Sequence, residues 1–518
     1  MNNQKLNLYF CFVLCAVLCS CARGEYRKNQ KNLATLSANK QYKAVEEFVK
    51  KKSFLGQKDN VLLKNLELGK AYYNNDKYCN AIERFDEAGR IVEEQQTKSI
   101  GSAISSAVGN GEGVFYGETY EKSILNFYKS LLNYKIYQRG YCEPIEDVNN
   151  KQKKENKYFN DNEKNNFLTA SRSNILYWDS WMNSRYIEED DKFYIDDILL
   201  KLWGAFIHEQ IGDNANLQIA RQLYKDAKNI AQNRYIVYKP FNFYNDGFVN
   251  HLKDIEKRSS FVEKDNIYVK DVIEYCDRQL ERLSKREKVN FAIVLSDGDI
   301  ATKTVTEHRI PILSVLSTAS ASLRDIIISF AIDRAKYELP YISYKPTNYR
   351  YFYELRSEDG SVVVRKPLVL SEPITDISYM SLNEKFDGIK KRVIASMTAK
   401  YLTVLTPIAA TYAVARKSKN QIVQLVGYLT ALLSYKGSEY LITEGSRVDI
   451  RQWVDLPANI FMVSDRIEKG KYHLSIVKQS NFVNLPAENG VVNNTQEMVV
   501  YSKDIEIGDN VSFFDVKA

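Results

Sequence analysis

The chain has 518 residues, of which 44% are hydrophobic and 26% are charged, and its net charge is +7 at pH 7. This composition is typical of a globular protein rather than a disordered one, and the length predicts two or three domains. The net charge is small for a chain of this length, so it does not support a nucleic-acid partner, and we expect none.

Residues 1–20 have the pattern of a lipoprotein signal peptide. After Lys5, an apolar run broken only by Asn7 extends from Leu6 to Leu18, a length that suits a signal-peptide core and is too short to span a bilayer comfortably. The small Ser20 then precedes Cys21, as the processing protease and the lipid-transfer step require. An ordinary signal peptide or an N-terminal anchor helix is the alternative. We expect cleavage before Cys21 and lipidation of its thiol by palmitate-type acyl chains.

Residues 21–34 would then form a lipidated tether. More than one acyl chain at the N-terminus is enough for stable anchoring. Ala22 follows the cysteine, and the lack of an aspartate there favours the outer membrane, facing the periplasm, over the inner membrane. We therefore expect a cell-envelope location in which lipid makes the membrane contact.

Residues 35–260 are predicted to form a helical domain built from tetratricopeptide-like repeats. Six residues fall at the consensus positions of one repeat within residues 35–98, namely Leu68, Gly69, Tyr72, Ala81, Phe85 and Ala88. Small residues, Gly69 and Ala81, would lie where two helices touch closely, and Tyr72 and Phe85 would fill the groove between them. A generic helical hairpin is the alternative.

A second repeat is predicted near residues 198–230. Ala220, Tyr224 and Ala227 copy the spacing of the second repeat helix. Helical periodicity also extends over residues 117–137 and 168–186. At least three stacked hairpins are needed to bury a continuous core, so these segments together predict a short solenoid.

Two segments are predicted to interrupt the helices. Residues 99–115 are rich in Gly and Ser, and residues 149–166 form a polar insertion. Gly109, Gly111 and Gly113 lack the preceding strand and the lysine of a phosphate-binding loop. We interpret them as a flexible linker.

Residues 287–485 are predicted to form an α+β domain, with Asp359-Gly360 as a hairpin turn. The predicted strands cover residues 289–295, 302–312, 341–344, 350–355, 361–370, 448–454, 460–463 and 472–477. A helical pair, apolar over residues 393–435, interrupts them. The expected fold class is thus α+β: an N-terminal tetratricopeptide-like solenoid, then a β-rich module with an inserted apolar helical hairpin. Residues 486–518 remain as a C-terminal extension.

The apolar pair at 393–435 has two interpretations. A basic turn at residues 416–420 separates two apolar arms, as in a membrane hairpin. However, the second arm has about a dozen apolar residues, fewer than the roughly 20 of a spanning helix, and Lys400 and Pro407 interrupt the first arm. We favour a buried helical pair packed on the β module. Contact with a membrane or an oligomeric core is the alternative.

No group of residues predicts catalysis. A zinc-protease motif beginning at His208 would need a second histidine where Gly212 stands, so we interpret His208 as an ordinary helix histidine. Asp297 and Asp299 resemble the start of a calcium loop, but no ligand series follows, which favours a turn. We expect no enzymatic activity, no catalytic or metal-binding residues, no cofactor and no small-molecule substrate.

Three cysteines follow Cys21 in the chain, namely Cys79, Cys142 and Cys276. An oxidising compartment permits one disulfide among them and leaves one cysteine over. We interpret them mainly as buried small hydrophobic residues.

Several segments together resemble a family of uncharacterised bacterial lipoproteins with tetratricopeptide repeats. The resemblance is carried in collinear order by residues 115–121 (Phe-Tyr-Gly-Glu-Thr-Tyr-Glu), 204–213, 297–298 with 309–311, 339–340 with 344–346, and 449–453 (Asp-Ile-Arg-Gln-Trp) with 456–458 (Leu-Pro-Ala). His208 replaces the family's tyrosine, and residues 149–166 and those after 485 depart from the pattern. The resemblance implies a periplasmic or outer-membrane lipoprotein and no catalytic residues.

Two functions follow as hypotheses. The first is a non-enzymatic, lipid-anchored scaffold whose helical repeats bind another envelope protein. The second is an envelope assembly or structural factor whose apolar pair at 393–435 contacts a membrane or an oligomeric core.

Overall fold

The computed structural model describes residues 27–51, 55–56, 58–106, 114–145, 155–184, 194, 196–233, 267–312, 324, 327–328, 334–343, 347, 349–444, 448–480 and 496–518. The predicted signal peptide, Cys21 and the three glycines at 109, 111 and 113 lie outside these residues.

Helices form the N-terminal half of the chain. They are α1 (27–38), α2 (Tyr42–Lys50), α3 (Val61–Asn74), α4 (Tyr78–Ser106), α5 (Thr119–Arg139), α6 (Asp161–Ser184), α7 (Ile198–Ile211), α8 (Asn214–Asn233) and α9 (Ile267–Ser284). From α2 to α9, each described helix packs against the next described one in sequence. Helix α7 has a capping residue at each end. At its N-terminus the Asp197 carboxylate accepts a hydrogen bond from the Leu200 amide at 2.9 Å. At its C-terminus Gly212 adopts the left-handed conformation, with φ 76°.

A seven-stranded mixed sheet forms the second layer. Its strands are β3 (Phe291–Asp297), β6 (Tyr349–Arg356), β7 (Val362–Glu372), β8 (Asn459–Asp465), β9 (Gly470–Ser480), β10 (Gln496–Ile507) and β11 (Ser512–Lys517), in the order β10-β9-β6-β7-β8-β3-β11. All neighbours are antiparallel except β11 and β3, which are parallel. Every residue of β3 and β8 is buried. The predicted α+β class is confirmed.

Two long helices pack on a separate two-stranded ribbon that is not part of this sheet. The helices α10 (Ile374–Arg416) and α11 (Gln421–Glu444) pack on each other, and the ribbon pairs β4 (Lys303–Pro311) with β5 (Arg334–Ile342). Near the start of α10, Glu118 at the N-terminus of α5 binds Lys303 and Lys385, each at 2.8 Å. These ion pairs attach both the ribbon and α10 to the helical layer.

The helices and the sheet share one hydrophobic core. A single cluster of buried side chains contains Leu63, Tyr128, Trp203, Phe291 and Trp453, which come from α3, α5, α7, β3 and the loop before β8. A second cluster joins α10 and α11 to the ribbon. The helical segment and the β-rich segment are therefore packed as one body rather than separated at a surface.

Residues 449–458, which we call the inserted loop, connect these layers. The Glu67 carboxylate on α3 accepts from the amides of Val454 and Asp455 at 2.6 and 3.2 Å, and Glu121 on α5 accepts from the Trp453 amide at 2.7 Å. The predicted strand at 448–454 is therefore wrong. Its backbone donors bond to helix carboxylates instead of a neighbouring strand, so no ladder forms.

Three further sequence boundaries are corrected. Residues 486–518 are not an appendage, because β10 and β11 complete both edges of the sheet; Tyr73 on α3 donates to Asp515 of β11 at 2.7 Å. The predicted loop at 99–115 is helical as far as Ser106. Within 149–166, residues 157–158 pair with 141–142 in a short ribbon (β1, Tyr141–Cys142; β2, Lys157–Tyr158), and α6 begins at Asp161.

Cys79 and Cys142 form a disulfide, with their Cα atoms 5.7 Å apart. Interpreting them as buried small hydrophobic residues was wrong for this pair, because the strand β1 brings Cys142 back to the start of α4, where Cys79 lies. Cys276 is free and buried, as expected. The pairing fits an oxidising compartment.

Substituting Gly69 tests the close contact between α3 and α4. A Cβ at this position would lie 2.5 Å from Cε1 of the buried Phe85 ring. We expect Gly69→Ala to lower the free energy of unfolding by about 1–2 kcal/mol, because overpacking outweighs the gain in helix propensity. Gly89→Ala on α4 is the matched control, since its Cβ would meet only the flexible end of Lys129 at 3.2 Å. Chemical denaturation should show a loss for the first variant and a small gain for the second. Two gains would contradict the packing.

A buried pair of carboxyl groups predicts a pH-dependent effect. Tyr194 donates to Asp197 at 2.7 Å and to Glu372 at 2.9 Å, and burial together with the Asp197 charge raises the pKa of Glu372 well above its usual value. A raised pKa means that the stabilising contribution of Glu372 is complete below about pH 4.5 and is lost as the pH rises through the folded-state pKa. Glu372→Gln should therefore match the wild type near pH 4.5 and be more stable at pH 8, by roughly 1–3 kcal/mol. Melting temperatures of the wild type and Glu372→Gln, measured from pH 4.5 to pH 8, test this prediction. Equal destabilisation of the variant at both pH values would contradict it.

Candidate functional site

The first predicted repeat residues lie together on α3 and α4. Tyr72, Ala81, Phe85 and Ala88 are buried, Leu68 is partly buried, and Gly69 touches Phe85. The second set is separate. Ala220, Tyr224 and Ala227 are buried on α8, where the Tyr224 hydroxyl donates to Glu209 at 2.9 Å. Both sets make helix–helix or helix–sheet contacts, and the structure does not bring them into one site.

The inward face of α3 and α5 is occupied by the inserted loop of the same chain. Besides the bonds to Glu67 and Glu121, Asn74 donates to Asp455 at 3.0 Å. Lys70 lies fully buried beside this loop, 4.5 and 4.8 Å from the ring centroids of Tyr73 and Tyr128, and burial lowers its pKa to about 7. Burial and the neighbouring Asp455 raise the pKa of Glu67 well above its usual value. These groups hold the loop in place, and they leave this face closed to a partner.

The residues considered for metal chemistry have structural roles. The His208 imidazole is buried and bonds Asn216 at 2.5 Å. The buried Asp297 accepts from the Tyr351 hydroxyl at 2.6 Å and also from Tyr349. Across the described ranges, no group of three or more His, Cys, Asp or Glu side chains could hold a metal ion.

The helical pair α10–α11 has one packed side. Met397, Tyr401 and Leu405 of α10 are buried with Ala431 and Tyr435 of α11 in the second core, which includes Ala335, Tyr337 and Leu339 of the ribbon. Near the turn the two helices cross closely, because Gly427 has no side chain and its backbone lies against Ala415. The inner faces of both helices are therefore used to hold the pair together and attach it to the body.

The outer face of α11 is apolar and exposed. Ile422, Leu425 and Leu433 are 70%, 59% and 71% exposed, and Val426 and Leu429 between them are also exposed. The five residues follow i, i+3, i+4, i+7 and i+11 spacing, so they form one continuous stripe along the helix. We call it the outer stripe. A contiguous exposed apolar surface of this kind is typical of an interaction site.

The outer face of α10 carries small and hydroxyl-bearing residues whose hydroxyls are satisfied internally. Thr403, Thr406 and Thr411 are exposed, yet each donates to the backbone carbonyl four residues earlier, at 2.9, 2.6 and 3.0 Å. The proton of each hydroxyl is thus paired within the helix. These donors therefore do not oppose an apolar environment around α10.

All charged residues in the central stretch of the pair are basic. Acidic residues make up 65 of the 518 residues, about one in eight, yet none lies between Asp387 and Glu439. The same stretch contains eight basic residues, namely Lys390, Lys391, Arg392, Lys400, Arg416, Lys417, Lys419 and Lys436. Three of them, Arg416, Lys417 and Lys419, lie at the turn between the helices. A basic apolar surface of this type is complementary to an anionic one.

The expectation of a buried helical pair is therefore wrong for the outer stripe, although it is correct for the inner faces. Within the part of the chain that the structure describes, the ribbon has two strands, and it covers one side of the pair. Among the described residues, α10 is the one helix long and apolar enough to cross a membrane. Core helices of soluble proteins pass the same test, and 33% of the most apolar 18-residue segment of α10 is buried. The spacing of Ile422, Leu425, Val426, Leu429 and Leu433 was the sequence signal for the stripe, and counting only the length of the apolar run missed it.

Comparisons with protein-family models, with curated proteins and with solved structures return no match to this chain.

Proposed function

We propose that this protein is a non-enzymatic, lipid-anchored envelope protein with a structural or assembly role, and that the apolar pair α10–α11 contacts a membrane. The single observation that carries the proposal is the outer stripe, an exposed apolar face on residues 422–433 of α11, a part of the helix without acidic residues. The ribbon core and the Glu118 ion pairs attach this pair to the body, and the outer stripe stays exposed.

The energy available from the stripe is sufficient for reversible membrane binding. Fully burying a Leu, Ile or Val side chain contributes about 1.5–3 kcal/mol, so a half-exposed one contributes about 1 kcal/mol when lipid covers it. Five such residues therefore supply roughly 5 kcal/mol. This is comparable to the contribution of one short acyl chain and would reinforce a lipid anchor.

The lipid anchor itself is supported by the sequence alone. The apolar run ending at Leu18, the small Ser20 and Cys21 have the lipoprotein pattern, and the resemblance to bacterial lipoproteins points the same way. The Cys79–Cys142 disulfide agrees with export. We place the protein in the cell envelope, with the outer membrane favoured.

Flotation with vesicles tests the membrane contact without the lipid anchor. The probe is residues 22–518, which lack Cys21, mixed with phosphatidylcholine–phosphatidylglycerol vesicles and centrifuged through a density gradient. We expect the chain to float with the vesicles. If it stays at the bottom as a soluble monomer, the proposed contact is wrong; if it stays there as an oligomer, the stripe is covered by a second copy instead.

A scaffold function through the helical repeats is the second candidate, and one observation favours it. A groove of ≈ 890 Å³ runs over the outer side of α3 and α4, lined by Leu55, Val61 and Leu68 with Lys64 and Arg84 beside them. A peptide could lie there, because the inserted loop fills only the inward face. Affinity purification from native envelopes with the wild type and with Leu68→Glu tests it: a partner recovered equally by both would not use this groove.

A further inference from the structure

The turn between α10 and α11 presents three cations at one end of the pair. Helix α10 ends at Arg416 and α11 begins at Gln421, and we call residues 416–420 the basic turn. The side chains of Arg416, Lys417 and Lys419 are all exposed. The outer stripe begins at Ile422, three residues after Lys419, and three extended residues cover at most about 11 Å. The cations and the start of the stripe therefore lie at the same end of the pair.

Uncharged side chains hold the backbone of the basic turn. The Ser418 hydroxyl accepts from the Asn420 amide at 3.2 Å, and the side-chain oxygen of Asn420 accepts from the Ile422 amide at 2.9 Å. From α11, the Gln424 side chain donates to the Ser418 carbonyl at 2.8 Å. These three polar side chains are thus used within the turn, and positive charge is what the turn offers to a partner.

The surface next to the basic turn is apolar on both helices. Val414, near the end of α10, is 75% exposed, and Val423, near the start of α11, is 45% exposed. Neither belongs to the outer stripe. No acidic residue lies between Asp387 and Glu439. This end of the pair therefore combines apolar side chains with positive charge and has no carboxylate in the same stretch.

Resting on the membrane contact proposed above, we infer that the basic turn binds the phosphate groups of anionic lipids while the outer stripe lies in the apolar part of the interface. Lysine and arginine side chains have apolar stems, which let their charged ends stay among the headgroups while neighbouring side chains lie deeper. An amphipathic helix enters the interface to a depth of about 5–10 Å. Each basic residue near an anionic surface strengthens binding about fivefold. The stripe then supplies the apolar contact, and the turn selects the lipid class.

Other occupants satisfy only part of this surface. A nucleic acid would pair with the cations and leave the outer stripe in water. A second copy would cover the stripe, but its own stretch between Asp387 and Glu439 has no acidic side chain to pair with the turn. An anionic lipid surface provides both an apolar layer and negative charge within a few ångströms of it.

The basic turn also opposes a position across the bilayer. A crossing would carry Arg416, Lys417 and Lys419 through the hydrocarbon core, where each charged side chain is costly. At the interface the same three side chains lie beside lipid phosphates. The cations therefore favour a pair that stays on one side of the membrane.

Flotation with two lipid compositions tests the inference. Residues 22–518 are mixed in low salt with pure phosphatidylcholine vesicles or with vesicles that contain about 30% phosphatidylglycerol, and the two affinities are measured. We expect at least about tenfold tighter binding to the anionic vesicles, and a smaller difference in high salt because salt screens the charges. Equal affinity for the two compositions would overturn the inference and leave the membrane contact in place.

Neutralising the basic turn tests whether these three residues cause the preference. For the variant Arg416→Gln/Lys417→Gln/Lys419→Gln, we expect the ratio of the two affinities to fall to about threefold or less. The single change Lys417→Gln should lower the ratio by about three- to fivefold, and it leaves the hydrogen-bonding side chains of the turn in place. A ratio that stays at the wild-type value in both variants would place the preference elsewhere and overturn the inference.

The matched control removes three exposed lysines outside the pair. Lys288→Gln/Lys471→Gln/Lys503→Gln changes the net charge by the same amount, and it should keep the wild-type ratio. An equal fall in the control would show that overall charge sets the preference, which would contradict a role for the turn. Failure of residues 22–518 to float on either composition would instead remove the proposed function itself.

Discussion

Trp453→Ala should lower the free energy of unfolding by about 3–5 kcal/mol, the usual cost of emptying a buried aromatic site. The Trp453 side chain is fully buried, and its ring lies 5.7 Å from Phe85 and 6.0 Å from Tyr128 between ring centroids. The first neighbour comes from α4 and the second from α5. Loss of the indole would therefore leave a cavity where the inserted loop meets the helical layer.

The size of the loss is read from urea or guanidinium unfolding of the mature chain. Trp453→Phe is the matched variant, because it keeps an aromatic ring in the site and should lose less. Val362→Ala, at an exposed position on β7, should change the stability by no more than about 0.5 kcal/mol. A loss below about 1 kcal/mol for Trp453→Ala would mean that the loop does not fasten the helices to the sheet.

Leu425→Asn combined with Leu429→Asn should weaken vesicle binding by about 100-fold or more. Each substitution removes about 1 kcal/mol of apolar burial and adds a polar side chain that costs a similar amount to cover with lipid. Together the two changes cost about 3–4 kcal/mol. Since both leucines are exposed on α11, the fold should be unaffected and the melting temperature unchanged.

The matched control for this variant is Val362→Asn combined with Val363→Asn. These valines are also exposed, at 45% and 54%, but they lie on β7, far along the chain from the outer stripe. The control should bind vesicles as the wild type does. Equal loss in both variants would show that the binding reflects general surface hydrophobicity, and no loss in either would place the membrane contact elsewhere.

Local patterns in the sequence predicted the parts of the fold that depend on local chemistry. The continuous apolar run at 289–295 predicted the buried strand β3, and Asp359-Gly360 predicted the turn between β6 and β7. The close approach of α3 and α4 at Gly69 and Phe85 could be foreseen because both residues fall at tetratricopeptide consensus positions. The solenoid interpretation goes further than these contacts and stays a prediction.

Long-range pairing could not be predicted in the same way. Residues 448–454 alternate like a strand, yet the carboxylates of Glu67 and Glu121, more than 300 residues earlier, bind their backbone. The strand β11 is short, and its position depends on parallel pairing with β3 and on the bond from Tyr73 to Asp515. No local pattern in residues 486–518 encodes these partners.

The candidate site was predicted in part. The apolar character of residues 393–435 and the basic turn were evident from the sequence, and Lys400 and Pro407 argued for a soluble core. The structure separates the two faces: the inner face packs on the ribbon, and the outer stripe stays exposed. Which face is covered depends on β4 and β5, and sequence periodicity alone does not supply that information.

Lipid-phase photolabelling in native envelopes tests the membrane contact most directly. A photoactivatable lipid is crosslinked in intact envelopes, and the labelled peptides are mapped by mass spectrometry. We predict labelling of residues 421–435, concentrated at Ile422, Leu425, Val426, Leu429 and Leu433, with no labelling of Val362 or Val363. Labelling confined to the N-terminal tether, with none on α11, would contradict the membrane contact.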